Sequence, residues 1–476
     1  MRFFTKANTG AISQSAYEME CNTSRPVVVP LFSGQGSPSA TLALTRQQAL
    51  RDIRSPPGHF LLMSCHDAFH AEVSKLSEHE LNESCISLID FQGAVSLLSF
   101  SSVYEHNPII SGVSLFLAQA LRYLAHSPTT EANGLSSAET LRSNSNHHLG
   151  VIGFSSGLIT ACVVAASSSM ITFISKAVEA FRLAFWIGVR SMQERTEELR
   201  STLVFPDTGL PWSVVCVGLS KSDILGLISD FEIKVRGSYT SDVQEKLIGS
   251  IKNNCEFSLH LTAVLDHQCV TISGRPDILQ RFSSSISKSC TIHPTTMDAL
   301  YHARTLRRVH AQVLVDVEKH LIRFPDFSDL RYPVLSTISG KPLLPGAGYS
   351  SLVDAVLDMI IVSPVDWMSV VQGLASTALA DAPIQILNFG LSPGLLRTLE
   401  KSLLATKSIY TDVSLCDSDN PAGTTEYGFK QEPIAIVGMA LRMPGATNAN
   451  ELWDILERGI NTVSEVCRLC ALSVFM

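Results

Sequence analysis

Gly153-Phe154-Ser155-Ser156-Gly157 sets a hydroxyl between two glycines, in the G-x-S-x-G spacing of a nucleophile elbow. The apolar run Leu149–Ile152 before it reads as a buried strand, and Leu158-Ile159 after it opens an apolar helix. A strand that turns at once into a helix needs residues without a Cβ at the bend, so that the serine Oγ is pushed into the open. The helix N-terminus behind such a serine offers unpaired backbone N–H groups to a developing oxyanion. Ser155 is therefore the candidate nucleophile, and the chemistry is covalent transfer through an ester.

A serine of ordinary pKa needs a base. Fourteen histidines are available. His302, in Met297-Asp-Ala-Leu-Tyr-His-Ala303, is the candidate, 147 residues from Ser155, so folding alone can bring the two together. His147-His148 invite a metal reading, but neighbours in a strand face opposite sides, and the pair reads as a loop or strand edge. Cys467-Arg-Leu-Cys470 is a C-x-x-C without a second pair, and no metal site is expected.

The elements that must position these groups follow an α/β order. Pro26–Phe32 reads as a buried strand entering the glycine-rich turn Ser33-Gly-Gln-Gly-Ser37, helical patterns fill much of 42–126, and a polar loop at 127–146 precedes the elbow. Strands alternating with helices imply a parallel sheet. Residues 211–285 differ: strand, helix, two strands and a helix, the order of a ferredoxin-like subdomain. Residues 405–431 are polar and without apolar period, a linker. A new strand starts near Glu432, and a helix follows from Asn448, where Asn448 and Glu451 form a capping pair.

Composition narrows the class. The 476 residues suffice for two or three domains, and a net charge of −8 without a basic run excludes a nucleic-acid face. Residues 158–189 are apolar but broken by Lys176, Glu179 and Arg182, so they read as buried helix and not as a membrane span. Eleven scattered cysteines and a start without an apolar leader point to a reduced, cytoplasmic protein.

Phe32–Ser37, the elbow and Met297–Ala303, in this order, resemble the acyltransferases of polyketide and fatty-acid synthesis. Tyr301-His302 and Thr271–Pro276 narrow the resemblance to the starter-unit acyl-carrier-protein transacylase (SAT) domain of fungal non-reducing polyketide synthases, over residues 25–404. The stretch from Glu432 to Val466 resembles the opening of a β-ketoacyl synthase, and residues 432–476 are expected to be a truncated fragment of that domain, poorly ordered or leaning on the main domain. The resemblance implies an acyltransferase fold with an α/β-hydrolase-like core. It implies transfer from acyl-CoA to the phosphopantetheine thiol of an acyl carrier protein, with no bound cofactor, working with the rest of a polyketide synthase or with a fatty acid synthase. It also implies that Gln35 and Ser156 supply the oxyanion N–H groups and that a backbone carbonyl of Asn388–Gly394 orients His302.

Two positions depart from the family pattern. Such domains commonly carry cysteine at the elbow, where this chain has Ser155. Where malonyl-selective relatives place an arginine for the free carboxylate, this chain has Ile187, beside Trp186. With Trp186 and Ile187 lining an acyl pocket, a monocarboxylic starter, acetyl or longer, is expected over malonyl, unless Arg182 or Arg190 swings in. An α/β-hydrolase-type esterase remains open, with Asp223 or Asp298 as the third member it needs, as does a remnant that only binds a carrier protein.

Overall fold

The computed structural model describes residues 27–37, 39–126, 150–200, 211–242, 258–346, 348–377, 384–390, 393–405, 410–414, 446 and 448–458. His147 and His148, the C-x-x-C pair and the expected strand after Glu432 lie outside them. The chain divides into two compact units, Met1–Asp419 and Asn420–Met476.

In the first unit, four parallel strands form the core sheet in the order β2-β1-β8-β9: Ile152–Gly153, Val27–Phe32, Ile384–Phe389 and Tyr410–Ser414. β1 carries three consecutive valines, whose branched Cβ atoms suit a pleated surface. Its Val29, Leu31 and Phe32 are fully buried, as expected for a parallel strand covered on both faces. β9 corrects the sequence reading: the sheet's edge strand falls inside the expected linker 405–431.

Two long helices pack beside the sheet. Met170–Arg200 is amphipathic, and its buried stripe runs through Phe173, Ala177, Phe181, Ala184 and Gly188. Pro108–His126 crosses it closely, because a Cβ on Gly188 would lie 2.5 Å from Ile109 Cα. Pro108–His126 is long and apolar enough to span a membrane by composition, yet 83% of that stretch is buried inside the protein, as a core helix is.

The subdomain is built as expected but longer. Ser213–Val217 (β3), His260–Asp266 (β4), Cys269–Ser273 (β5) and Thr291–Pro294 (β6) form an antiparallel sheet in the order β6-β3-β5-β4, with the helices Lys221–Asp242 and Pro276–Ile286. β6 is the fourth strand of the ferredoxin-like unit and moves its end from 285 to 294. The sequence reading missed it because Thr291–Pro294 is largely exposed and carries no alternation. Val365–Asp366 (β7) pairs in parallel with β4 and ties this sheet to the core.

In the second unit, the helix Ala449–Glu457 begins as read: the Glu451 N–H donates to Asn448 Oδ1 at 3.0 Å.

Candidate active site

β2 ends at the elbow, and the glycines act there by closeness. A Cβ on Gly153 would lie 2.3 Å from Leu158 Cα, and one on Gly157 would lie 2.5 Å from Phe32 O. The strand and the fully buried helix Gly157–Ala166 can meet only without those carbons. Ser155 itself takes φ +55°, in the left-handed region. That conformation costs a non-glycine residue on the order of 1 kcal/mol and persists where the surroundings enforce it.

His302 also has φ +56°. Its Nε2 lies 2.7 Å from Ser155 Oγ, and both residues are buried. Its Nδ1 lies 3.0 Å from Ser363 O. A carbonyl oxygen only accepts, so Nδ1 carries the proton and Nε2 is left as the acceptor for the serine hydroxyl. Burial pulls the imidazole down to about 4, against a smaller upward pull from the Ser363 and Met359 carbonyls. The base is therefore neutral at pH 7.

The orienting carbonyl corrects the expectation placed on Asn388–Gly394. Ser363 caps a single π-helical turn, Asp358–Val362, whose Ile361 O accepts from the Ala303 N–H at 3.0 Å. Irregular turns of this kind cluster at functional sites. The Ser363 hydroxyl donates to Asp358 Oδ2 at 2.7 Å, which fixes the cap. The end of β8 instead supports the Gly-Gln-Gly turn: Phe389 stacks on Phe32 at 4.9 Å. Nothing in sequence marks a carbonyl acceptor, which any residue supplies.

Neither acid proposed for a hydrolase triad meets His302. Asp223 is exposed and accepts from Ser220 at the start of its own helix. Asp298 accepts from Ser111 Oγ at 3.2 Å. The site is a serine–histidine dyad steered by a carbonyl.

The two oxyanion candidates, Gln35 and Ser156, are in contact with each other. The Gln35 N–H donates to Ser156 Oγ at 3.2 Å, and the Ser156 N–H has no acceptor among the described residues. Gln35 is clamped at its other groups as well. Its carbonyl accepts from Thr296 Oγ1 at 2.9 Å, and its Nε2 donates to Ser111 Oγ at 3.1 Å.

Ser155 and His302 open onto a cleft of about 880 Å³ between the core and the ferredoxin-like sheet. Val215 and Thr271 line one wall and Phe154 and Leu395 the other, while the exposed Arg397 and Lys401 stand at its edge. A second, smaller space of about 20 Å³ lies against Gln35, Ser156, Ile187 and Tyr301. Tyr301 lines both spaces.

Of the two residues expected in an acyl pocket, Ile187 lines the smaller space and Trp186 lines neither. Its indole N–H donates to Glu72 Oε2 at 2.9 Å and its ring stacks on His320 at 4.2 Å, away from either space. Successive helical residues are rotated about 100° apart, and here that turn aims Ile187 at the smaller space and the Trp186 ring at Glu72. Arg182 is bound by Glu72 and Glu179, and Arg190 by Asp316 and Glu80. Neither guanidinium lines the pocket.

Residues 47–302 match the family model described as "Starter unit:ACP transacylase in aflatoxin biosynthesis", more than half of the chain, and residues 431–471 match that of the β-ketoacyl synthase N-terminal domain. An orsellinic acid synthase of Armillaria ostoyae is 39% identical over 448 residues, covering 92% of this chain and 19% of that protein. One of Beauveria bassiana is 31% identical over 458 residues, 93% of this chain and 19% of that protein. The chain thus spans about a fifth of the length of these relatives. Among solved structures, a malonyl-CoA:acyl carrier protein transacylase of Xanthomonas oryzae pv. oryzae overlays with a TM-score of 0.49 at 14% identity, covering 81% of this chain and 94% of that one; nothing below rests on that overlay. The matched span holds both Ser155 and His302, and the chain belongs to the starter unit:ACP transacylase family, followed by a segment of β-ketoacyl synthase sequence.

Proposed function

We propose that this chain takes an acyl group from acyl-CoA onto Ser155 and passes it to the phosphopantetheine thiol of an acyl carrier protein. The observation that carries this reading is the 2.7 Å contact between Ser155 Oγ and His302 Nε2 at the floor of the 880 Å³ cleft. The Oγ attacks the thioester carbonyl as its proton passes to Nε2. The oxyanion is held by the Ser156 N–H and by the Gln35 N–H, which exchanges the Ser156 hydroxyl for it. As the intermediate collapses, the C–S bond breaks and His302 returns the proton to the departing thiol. The carrier's thiol then gives its proton to His302 and attacks the ester, and Ser155 leaves with that proton.

The cleft runs along the ferredoxin-like sheet, which gives a long pantetheine arm room to reach the serine. At its edge, Arg397 and Lys401, four residues apart on the helix Pro393–Ala405, meet the phosphates of coenzyme A or of the carrier's arm.

The starter is a short monocarboxylic acyl group. The acyl chain passes Tyr301 into the space of about 20 Å³ beside Ile187, where a malonyl carboxylate would be buried without a cation at a cost of several kcal/mol. On the same measure one water needs roughly 10–15 Å³, so the space holds little more than a single small group, which favours acetyl over the longer chains. Offering the protein labelled acetyl-, hexanoyl- and malonyl-CoA and mapping the label to a peptide tests the reading. Acetyl on Ser155 supports it, and malonyl in preference overturns the starter assignment. The transferred group primes a polyketide synthase, of which the matched β-ketoacyl synthase segment is a part, and an acyl-CoA donor fits a cytoplasmic setting.

A further inference from the structure

The Met297–Ala303 segment supplies a second buried group besides the base. Asp298 is 6% exposed and its Oδ2 accepts from Ser111 Oγ at 3.2 Å. Ser111 lies in the first turn of the helix Pro108–His126 and accepts, on the same oxygen, from Gln35 Nε2 at 3.1 Å. A hydroxyl has a single proton. While the carboxylate holds it, the oxygen's lone pairs are left for the Gln35 amide. A carboxyl protonated on Oδ2 would face Ser111 with a hydroxyl in place of an acceptor; the Ser111 hydroxyl would then turn toward Pro108 O at 3.5 Å, and the amide's acceptor would turn with it.

We propose that Asp298 is a positioning residue for the acyl transfer assigned to this site: its carboxylate, through Ser111, fixes the Gln35 side chain and so the backbone N–H that Gln35 turns toward the oxyanion. The inference rests on that assignment. The turn around Gln35 has little slack, since a Cβ on Gly112 would come 3.3 Å from Gln35 Nε2 and one on Gly34 would come 2.7 Å from Ser155 Cβ. A shift of the Gln35 amide is therefore passed to the nucleophile.

The charged and titratable groups facing Asp298 are Arg195 on the helix Met170–Arg200, His106 ahead of the helix Pro108–His126, and Tyr301 on its own segment. Burial dominates, raising the carboxyl to about 6 against the opposing pull of Arg195 and smaller hydrogen-bond and charge effects. The positioning device is engaged above that pH and released below it.

The test is steady-state transfer from acetyl-CoA between pH 4.5 and 8.5 (ordinary assay limits, roughly) for the full chain and its Asp298→Asn, Asp298→Ala and Ser111→Ala variants. An amide oxygen still accepts from Ser111 but does not titrate near 6. D298N is expected to stay within a few-fold of the parent kcat at pH 8 and to lose the inflection near 6. D298A and S111A are expected to lose about tenfold or more in kcat, with KM for acetyl-CoA within about twofold. A D298N profile that keeps the inflection overturns the proposal, as does an S111A kcat equal to the parent's. If D298A fails to fold, D298N and S111A decide. A parent chain that takes no label on Ser155 removes the functional reading and the inference together, whereas a labelled parent with indifferent variants removes the inference alone.

Discussion

Ser155 and His302 hold almost the same left-handed backbone, φ +55° and +56°, and meet side chain to side chain at 2.7 Å across 147 residues of sequence. Each is held there by its own close packing: Gly34 and Gly157 admit the elbow, and the π-helical turn Asp358–Val362 with its cap Ser363 receives Ala303 and His302. The strain sits on the two residues proposed to do the chemistry, where a fixed geometry would shorten the path to the transition state.

The pH dependence of acylation follows from His302. Burial depresses its proton affinity to about 4, so the neutral base persists well below the usual histidine range. With the Asp298 inflection removed in D298N, the acylation rate is expected to fall only near pH 4, read by rapid-quench labelling. Stability carries the same sign. A depressed folded value means the contribution is fully present above about 6.5, the unfolded value, and is lost as the pH falls through about 4. His302→Gln should thus differ from the parent in denaturant midpoint more at pH 7 than at pH 4.

Chain-length selection is expected to yield at Ile187. Ile187→Ala removes atoms from the wall of the 20 Å³ space, and each further CH₂ buried there is worth about 0.8 kcal/mol. Competition between butyryl- and acetyl-CoA should shift toward butyryl by about tenfold. The same change should cost about 2–5 kcal/mol of stability, since Ile187 is only 6% exposed.

Much of this was legible before any coordinates. The elbow and Tyr301-His302 are side-chain patterns, and they singled out Ser155 and His302, the pair that the fold brings to 2.7 Å. What escaped was carried by backbone or by rotation about a helix. The Ser363 carbonyl has no residue type to betray it, β9 hides in a polar stretch, and Trp186 turns away from the site although its neighbour Ile187 faces it. Asp298 was visible as an acid, but its partner Ser111 comes from a helix nearly two hundred residues earlier.

The edge of the cleft is expected to act through charge. Arg397→Glu with Lys401→Glu should raise KM for acyl-CoA and for the carrier several-fold, with kcat for bound substrate little changed, and should flatten the salt dependence of kcat/KM. Equal KM values at low salt would remove these two residues from phosphate recognition.

On the far side of Trp186 from the site, Glu72 is 1% exposed and accepts from Arg182, Lys75 and Trp186. Desolvation alone would raise its pKa, but these partners together outweigh it and hold the carboxyl below its usual value. Glu72→Gln leaves Arg182 undercompensated and should cost about 3–5 kcal/mol at pH 7, measured by urea unfolding. Because the folded value is depressed, the penalty is present above about 4.5 and shrinks as the pH falls through that lower value.

The most direct test is intact-protein and peptide mass spectrometry after mixing the chain with acetyl-CoA, then with a phosphopantetheinylated carrier protein. An acetyl group is expected on Ser155, removed onto the carrier's thiol on the second addition, and absent from Ser155→Ala. Acetyl that appears elsewhere, or that reaches the carrier equally fast with Ser155→Ala, would contradict transfer through this serine.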